Sequence, residues 1–318
     1  MKIALLGGGL DMNRLSQKLK KQSHHVHCFL TLRHSQEDFN GITLMESLIE
    51  SQVNYTIVDT ELDLRNKINS EEFDLVLGLG PAWVISRDTL RCAKQWVNIN
   101  FIPVPKFMGG AHSTWQILNE QFSSSIVFQE MSFPVDRGNI LARYDFHYGP
   151  EHLTPQSRFE ENSRQLMLFI DDALLKISIK NGTPKVSIDY KDREYWPRLN
   201  SEIHGWIDWN WSGEEIAKFV GAFGSPYIGA HTNLLGNTLY FRTAEFSKCE
   251  NIHPFSAGII IRQETKNEFI VAVRGGHLKV TTIVAPTLES TFLEGLRFHT
   301  PIGKLDLARS TNLRSTDL

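Results

Sequence analysis

The sequence predicts an α/β fold: a mostly parallel sheet with helices on both faces, then a smaller mixed, barrel-like C-terminal domain. Three observations predict it. Short apolar runs alternate with stretches of helical period over residues 3–100, the pattern of repeated βα units. A long amphipathic stretch follows at 157–179. Closely spaced alternating runs then fill residues 239–283, as in a small domain of short strands. The matching division is an N-terminal domain at 1–180, a second domain at 200–285 and a C-terminal extension at 286–318.

In chain order, residues 3–6 are a continuous apolar strand stopped by Gly7-Gly8-Gly9. Leu10, Leu15 and Leu19 recur at near-helical spacing, with Lys18, Lys20 and Lys21 on the other face. No third glycine follows at the offset of a dinucleotide fingerprint, so these glycines read as a tight turn. Strands are expected at 25–30, 55–58, 74–79 and 96–100. Helices are expected at 42–49, with Met45 on the buried face, and at 62–68. Residues 80–85 form an unusually apolar loop after a strand, where ligands of such sheets bind. Residues 125–132 alternate into a strand, and 139–146 return beside it, with Asp136-Arg137-Gly138 at the bend.

The helix at 157–179 is expected to bury Phe159, Leu166, Phe169, Ile170 and Leu174. The polar stretch 181–194 reads as a linker or exposed hairpin. Ser212 with Glu215 is a capping box, opening a helix that buries Ile216, Phe219, Val220 and Phe223. Strands follow at 239–243, 258–262, 269–273 and 278–283, and the polar tail 310–318 reads as loose.

The chain has 318 residues and is 41% hydrophobic, with a formal charge of -3, which offers no electrostatic footprint for nucleic acid or an anionic membrane. No apolar run approaches the ~18 residues of a spanning helix. Three scattered cysteines, Cys28, Cys92 and Cys249, make neither a disulfide framework nor a zinc spacing. The first residues read as a strand without a secretory hydrophobic region, and a reducing cytoplasm is the expected compartment.

The chemistry gathers between Trp96 and Asp136. That stretch contains Asn98-Ile99-Asn100, then Val104-Pro105-Lys106-Phe107-Met108-Gly109-Gly110, then His112, and Asp136-Arg137-Gly138. This order resembles the core of the folate-dependent formyltransferases, which include methionyl-tRNA formyltransferase and the sugar N-formyltransferases. Their pattern is Asn-x-His, three residues, Leu-Pro, a basic residue, an aromatic, one residue and Gly, with Asp-x-Gly further on. A second block, Ile207-Asp208-Trp209, Ala222-Phe223 and Pro226-Tyr227-x-Gly229-Ala230, is similar to the start of the family's C-terminal domain. Asn100 stands where the family has its histidine, Met108 where an arginine is common, and Gly221 where an arginine often precedes Ala-Phe.

The resemblance implies a Rossmann-like catalytic domain and transfer of a formyl group from 10-formyltetrahydrofolate to a small-molecule amine. A nucleotide-linked amino sugar is the favoured acceptor, because the second domain carries no basic stripe for tRNA. It implies a catalytic set of Asn98 and Asp136, with Asn100 as a second hydrogen-bond donor. Asn98 would polarise the formyl group and Asp136 would take the proton. A carboxamide donates a hydrogen bond but relays no proton near neutrality, so His112 is the candidate replacement base. By the same resemblance, Pro81, Trp83, Val84, Ile85 and Gly138 would line the folate site, and Lys106, Gly109 and Gly110 the acceptor site. The competing readings of 80–85 and of Asp136 are a loop packed on the core and an ordinary turn residue. No metal site is expected, and a homodimer is a candidate assembly. A second reading is a catalytically inactive homologue that binds or scaffolds, motivated by Asn100 and Gly221.

Overall fold

A computed structural model describes residues 1–37, 41–135, 137–178, 190–250, 252–283 and 293–313. Its elements begin with β1 (Lys2–Gly7), α1 (Leu10–Lys21), β2 (His25–Leu30), α2 (Leu32–Ser35), α3 (Leu44–Glu50), β3 (Asn54–Ile57), α4 (Glu61–Asn69), β4 (Leu75–Leu79), α5 (Arg87–Leu90) and β5 (Trp96–Asn100). They continue with β6 (Met108–Gly109), α6 (His112–Leu118), β7 (Ser123–Glu130), β8 (Ile140–His147), α7 (Pro155–Ser178), β9 (Tyr195–Trp196), α8 (Ser201–His204) and α9 (Gly213–Ala222). Last come β10 (Ala230–Leu234), β11 (Asn237–Lys248), β12 (Ile260–Gln263), β13 (Glu268–Val273), β14 (Gly276–Thr282) and α10 (Ile302–Ser310). They fall into two compact units. The first takes Met1–Lys106, Ser123–Phe146 and Asn162–Arg193, and the second takes Phe107–Phe122, His147–Glu161 and Glu194–Leu318.

The first unit is built on a seven-stranded sheet ordered β3-β2-β1-β4-β5-β7-β8. β1 to β5 pair in parallel, and β7 joins β5 antiparallel. The apolar runs at β1 and β4 are buried along almost their whole length, as a sheet covered on both faces requires. Ala4, Leu6, Phe29, Leu64, Ile68, Phe73, Val76 and Trp96 form one buried cluster on it. Side-chain caps start several of the helices. Thr43 makes a reciprocal capping box with Glu46 on α3, and Thr60 and Ser86 accept from the first turns of α4 and α5.

Two burial expectations are corrected here. Met45 is only half-buried, because the Thr43 cap sets the phase of α3 so that Leu44 and Leu48, one turn apart, face inward. Phe159 is 41% exposed. In the first turns of α7 the inward position belongs to Arg158, only 1% exposed, and the next residue is rotated away by the helical step. Arg158 donates to His152 O at 3.1 Å, Gln116 Oε1 at 3.2 Å and Gln121 O at 2.9 Å, and it lies 4.3 Å from the Tyr148 ring. Burial lowers its pKa to about 10, still well above neutrality. Ile179, most of the stretch 181–194 and most of the tail lie outside the described residues.

The second unit carries a five-stranded antiparallel sheet ordered β10-β11-β14-β13-β12. Residues 295–299 bridge both of its edges. On the β12 side Ile260 N–H donates to Leu296 O and Phe298 N–H to Gly258 O, each at 2.8 Å. On the β10 side Asn233 and His299 exchange N–H···O bonds of 2.8 and 3.0 Å. This strap gives the barrel-like character its physical basis, since it satisfies backbone groups an open edge would leave bare. Inside, the Trp209 ring stacks on Phe298 at 5.9 Å, and Phe241 meets Phe298 edge-on at 5.3 Å. The α9 helix begins at the Ser212–Glu215 capping box and buries Ile216, Phe219, Val220 and, at its C-cap, Phe223, as its period requires.

β10 is not legible as an apolar run. His231 and Thr232 are buried there, and Thr232 is satisfied by residues distant in sequence, accepting from Trp209 Nε1 at 2.9 Å and donating to His299 O at 2.9 Å.

Candidate active site

Asn98 and Asn100 close the last turn of the pleat in β5, so both side chains stand on one face of the sheet. Gln129 of β7 is the register partner of Asn98, and it points to the same face. The three carboxamides form one directed chain. Asn98 Nδ2 donates to Asn100 Oδ1 at 2.7 Å, and Asn100 Nδ2 donates to Gln129 Oε1 at 3.1 Å. Gln129 Nε2 then donates to the Gly138 carbonyl at 3.0 Å. Gln129 is 2% exposed. At the head of the chain Asn98 Oδ1 is buried with no hydrogen-bond partner among the described residues.

The strand beside Asn98 makes room for that oxygen. Gly78 of β4 is its parallel neighbour, and a Cβ there would sit 2.8 Å from Asn98 Oδ1 and 2.3 Å from Met131 Cε. The loop that follows β4 contains the expected folate-lining residues. Ile85 is buried in the core cluster of this unit and Trp83 packs against that cluster. Pro81 is half-buried, with its Cδ 3.5 Å from the same Gly78 Cβ position, and Val84 is 60% exposed. Gly138 lies at the bend after β7, where a Cβ would come within 1.8 Å of Glu130 O, so the chain's own backbone occupies its open side. Asp136 lies outside the described residues. Lys106 is exposed, and its backbone N–H donates to Pro103 O at 3.0 Å.

His112, Gly109 and Gly110 belong to the second unit. The His112 ring shares a hydrogen bond of 2.9 Å between Nε2 and Gly109 O. Burial pushes its pKa down, the Gly109 carbonyl pulls it partly back up, and the Arg198 charge lowers it further. At neutral pH the ring is therefore uncharged, with one nitrogen committed to its own loop. The two glycines admit the backbone of residues 196–198. A Cβ on Gly109 would lie 2.0 Å from Trp196 O, and one on Gly110 would lie 2.3 Å from Arg198 Cγ.

The structure thus joins Asn98, Asn100 and the Gly138 carbonyl through a residue that the motif reading passes over. Gln129 had a signal in the sequence: it is a polar residue directly after the apolar run Ile126-Val127-Phe128 of an edge-ward strand. A buried amide in such a run needs partners, and the β5 register supplies Asn98 and Asn100.

Residues 201–290 match the family described as Formyl transferase, C-terminal domain. A methionyl-tRNA formyltransferase of Geobacter metallireducens is 29% identical over 167 residues, 52% of each chain, so the match spans about half the length of that relative. In fold, the chain is similar to WlaRD, a sugar 3N-formyl transferase solved in the presence of dTDP and 5-N-formyl-THF. The TM-score is 0.64 at 16% identity, covering 89% of this chain and 98% of that one. It is also similar to an N-formyltransferase from Helicobacter canadensis in complex with folinic acid and dTDP-3-aminofucose, with a TM-score of 0.62 at 16% identity over 89% and 99% of the two chains. The family match covers the C-terminal part of the chain, and the likenesses to solved structures show a formyltransferase-type fold. No helix among the described residues is long and apolar enough to cross a membrane, and no group of three or more potential metal ligands occurs among them.

Proposed function

We propose that the protein is an N-formyltransferase that moves a formyl group from 10-formyltetrahydrofolate to the amine of a nucleotide-linked amino sugar. The observation that carries this reading is the Asn98–Asn100 pair at the carboxyl end of β5, with one buried polar atom left open. A buried acceptor without a partner costs roughly 1–3 kcal/mol, which a ligand N–H would recover. Pro81, Trp83 and Val84 follow the neighbouring strand and offer apolar surface for a pterin ring, with Ile85 buried in the core of the same loop, while Gly138 borders the far end of the amide chain.

The donor supplies an activated formyl carbon attached to N10. In the balanced reaction the amine nitrogen bonds that carbon, the bond to N10 breaks, the amine gives up one proton and N10 gains one. Asn98 and Asn100 each use one of their two Nδ2 hydrogens within the chain. The other N–H of each is available to hold the formyl oxygen as negative charge develops on it. Neither amide takes a proton near neutrality, so the proton of the amine goes to Asp136, to His112 or to solvent. Lys106, Gly109 and Gly110 are the residues assigned to acceptor binding, with the 1–180 segment as the catalytic domain, 200–285 as the second domain and 286–318 as an extension. A tRNA acceptor is less well supported, because the chain has a net charge of -3.

Incubation with 10-formyltetrahydrofolate and dTDP-linked 3- and 4-amino sugars tests the reading. Tetrahydrofolate and N-formyl sugar should appear in equal amounts. The second reading, a binding protein without turnover, is favoured by Asn100, an amide where a titrating group would be expected. Saturable folate binding with no product from any amine would select it.

A further inference from the structure

The polarity of the amide chain is set from one end. A carboxamide can turn over and exchange its oxygen for its NH2 group, so three in a row have two self-consistent directions. The Gly138 carbonyl can only accept. It therefore holds Gln129 with Nε2 toward it and Oε1 toward Asn100. That forces Asn100 to offer Nδ2 to Gln129 and Oδ1 to Asn98, and it forces Asn98 to offer Nδ2 to Asn100. What remains is Asn98 Oδ1, turned away from the chain and unpartnered among the described residues.

We propose that this oxygen is an acceptor subsite for the N–H of the attacking amine, and that Gln129 is the positioning residue that keeps it an acceptor. The inference rests on the formyltransferase reading and deepens it. Held by one N–H, the amine keeps its lone pair free for the formyl carbon, and the spare Nδ2 hydrogens of Asn98 and Asn100 hold the formyl oxygen. The direction also makes the site selective for a donor group at that position. The oxygen is covered in part by Met131, whose terminal methyl shares with it the space over Gly78. A thioether side chain rotates readily, and its displacement uncovers the subsite.

The experiment compares equilibrium binding of a dTDP-linked amino sugar with that of the same nucleotide sugar lacking the amine, in the presence of 5-formyltetrahydrofolate. Wild type should prefer the amine by roughly tenfold, the worth of one ordinary hydrogen bond. Gln129→Met keeps the volume but releases the chain, and it should erase the preference while folate binding persists.

Gln129→Glu gives an independent readout and guards against a misfolded methionine variant. A protonated glutamic acid donates to the Gly138 carbonyl and accepts from Asn100 as the amide does, and an ionised one, an acceptor only, still takes the Asn100 Nδ2 hydrogen. Either form keeps Asn100 Nδ2 turned toward residue 129, so the amine preference of Gln129→Glu should match that of wild type at each pH, while Gln129→Met loses it. A preference unchanged in Gln129→Met, or one lost in a Gln129→Glu protein that still binds folate, would overturn the polarity argument alone. Failure of wild type to bind either folate or nucleotide sugar would overturn the formyltransferase reading and this inference with it.

Discussion

Gln129 is the register partner of Asn98 across the β5–β7 pair, yet its carboxamide bonds Asn100 instead. The skip leaves Asn98 held from one side only, through its own Nδ2, and leaves its oxygen facing Gly78. Two asparagines that the motif places side by side therefore stand in different electrostatic positions. Asn100 is enclosed between two amides, and Asn98 is the end of the line.

That difference separates the effects of replacing them. Asn98→Ala removes both the open oxygen and a spare N–H donor. It should lower turnover by about 10²–10³, the range for losing one oxyanion donor. The folate dissociation constant should change little. Steady-state kinetics beside a folate titration checks this, and an Asn98→Ala enzyme with full turnover would remove the pair from the chemistry.

Asn100→His replaces the second amide of the pair with a group that titrates near neutrality. An imidazole both relays a proton and donates to a developing oxyanion, which the amide does only in part. The variant should gain turnover, by about tenfold or more within the ~10²–10⁴ span of general acid–base catalysis. It should also acquire an acidic limb in its pH–rate profile that wild type lacks. A variant slower than wild type at every pH would mean that the amide chain matters more than the proton relay.

How far the sequence discloses this arrangement depends on which force decides each part. β1 and β4 are apolar runs buried on both faces, and α9 has a capping box and a four-residue stripe, so burial and local chemistry agree there. Phe159 and β10 are different. The inward place at the start of α7 goes to Arg158, because three carbonyl oxygens and an aromatic face wait for its guanidinium. Thr232 is buried because partners far along the chain, Trp209 and His299, satisfy it. Such pairings depend on tertiary neighbours that no periodicity records. The candidate site divides in the same way. Asn98 and Asn100 are singled out by the motif resemblance, whereas Gln129 becomes meaningful only once β7 is laid antiparallel on β5.

His34 predicts an acid-sensitive contribution to stability near the Gly7-Gly8-Gly9 turn. Its ring is 3% exposed, its Nδ1 has no partner among the described residues, and burial together with Arg33 lowers its pKa to about 4. The unfolded chain takes up a proton near pH 6.5 that the folded chain refuses. The stability from neutral His34 is thus complete above that value and declines as pH falls toward 4, by up to about 1.4 kcal/mol per unit. Asp11 and Glu37 oppose it. Burial raises both carboxyl pKa values, so their contribution is present at low pH and lost as pH rises through the raised values. Urea melts of wild type and His34→Gln at pH 7 and 4.5 cancel the carboxyl contribution. The stability difference between the two proteins should shift by more than about 1 kcal/mol in the variant's favour at the lower pH.

Gly78 tests whether the space around Asn98 Oδ1 is part of the site or only of the packing. Gly78→Ala places a methyl 2.3 Å from Met131 Cε and 2.8 Å from Asn98 Oδ1. Overpacking of this kind costs about 1–3 kcal/mol, part of which Met131 can relieve by rotating. Asn98 has no such freedom, because Asn100 holds its nitrogen at 2.7 Å. Gly78→Ala should therefore lose roughly tenfold or more in turnover along with a moderate loss of stability. Adding Met131→Ala should return much of the stability, since the methyl then meets open space where the thioether was. It should not return the turnover, because the crowding at Asn98 Oδ1 is unchanged. Thermal melts and kinetics on the single and double variants read the two quantities separately. Recovery of both in the double variant would assign the role of Gly78 to Met131 and core packing, and would leave Asn98 Oδ1 without a function that depends on that space.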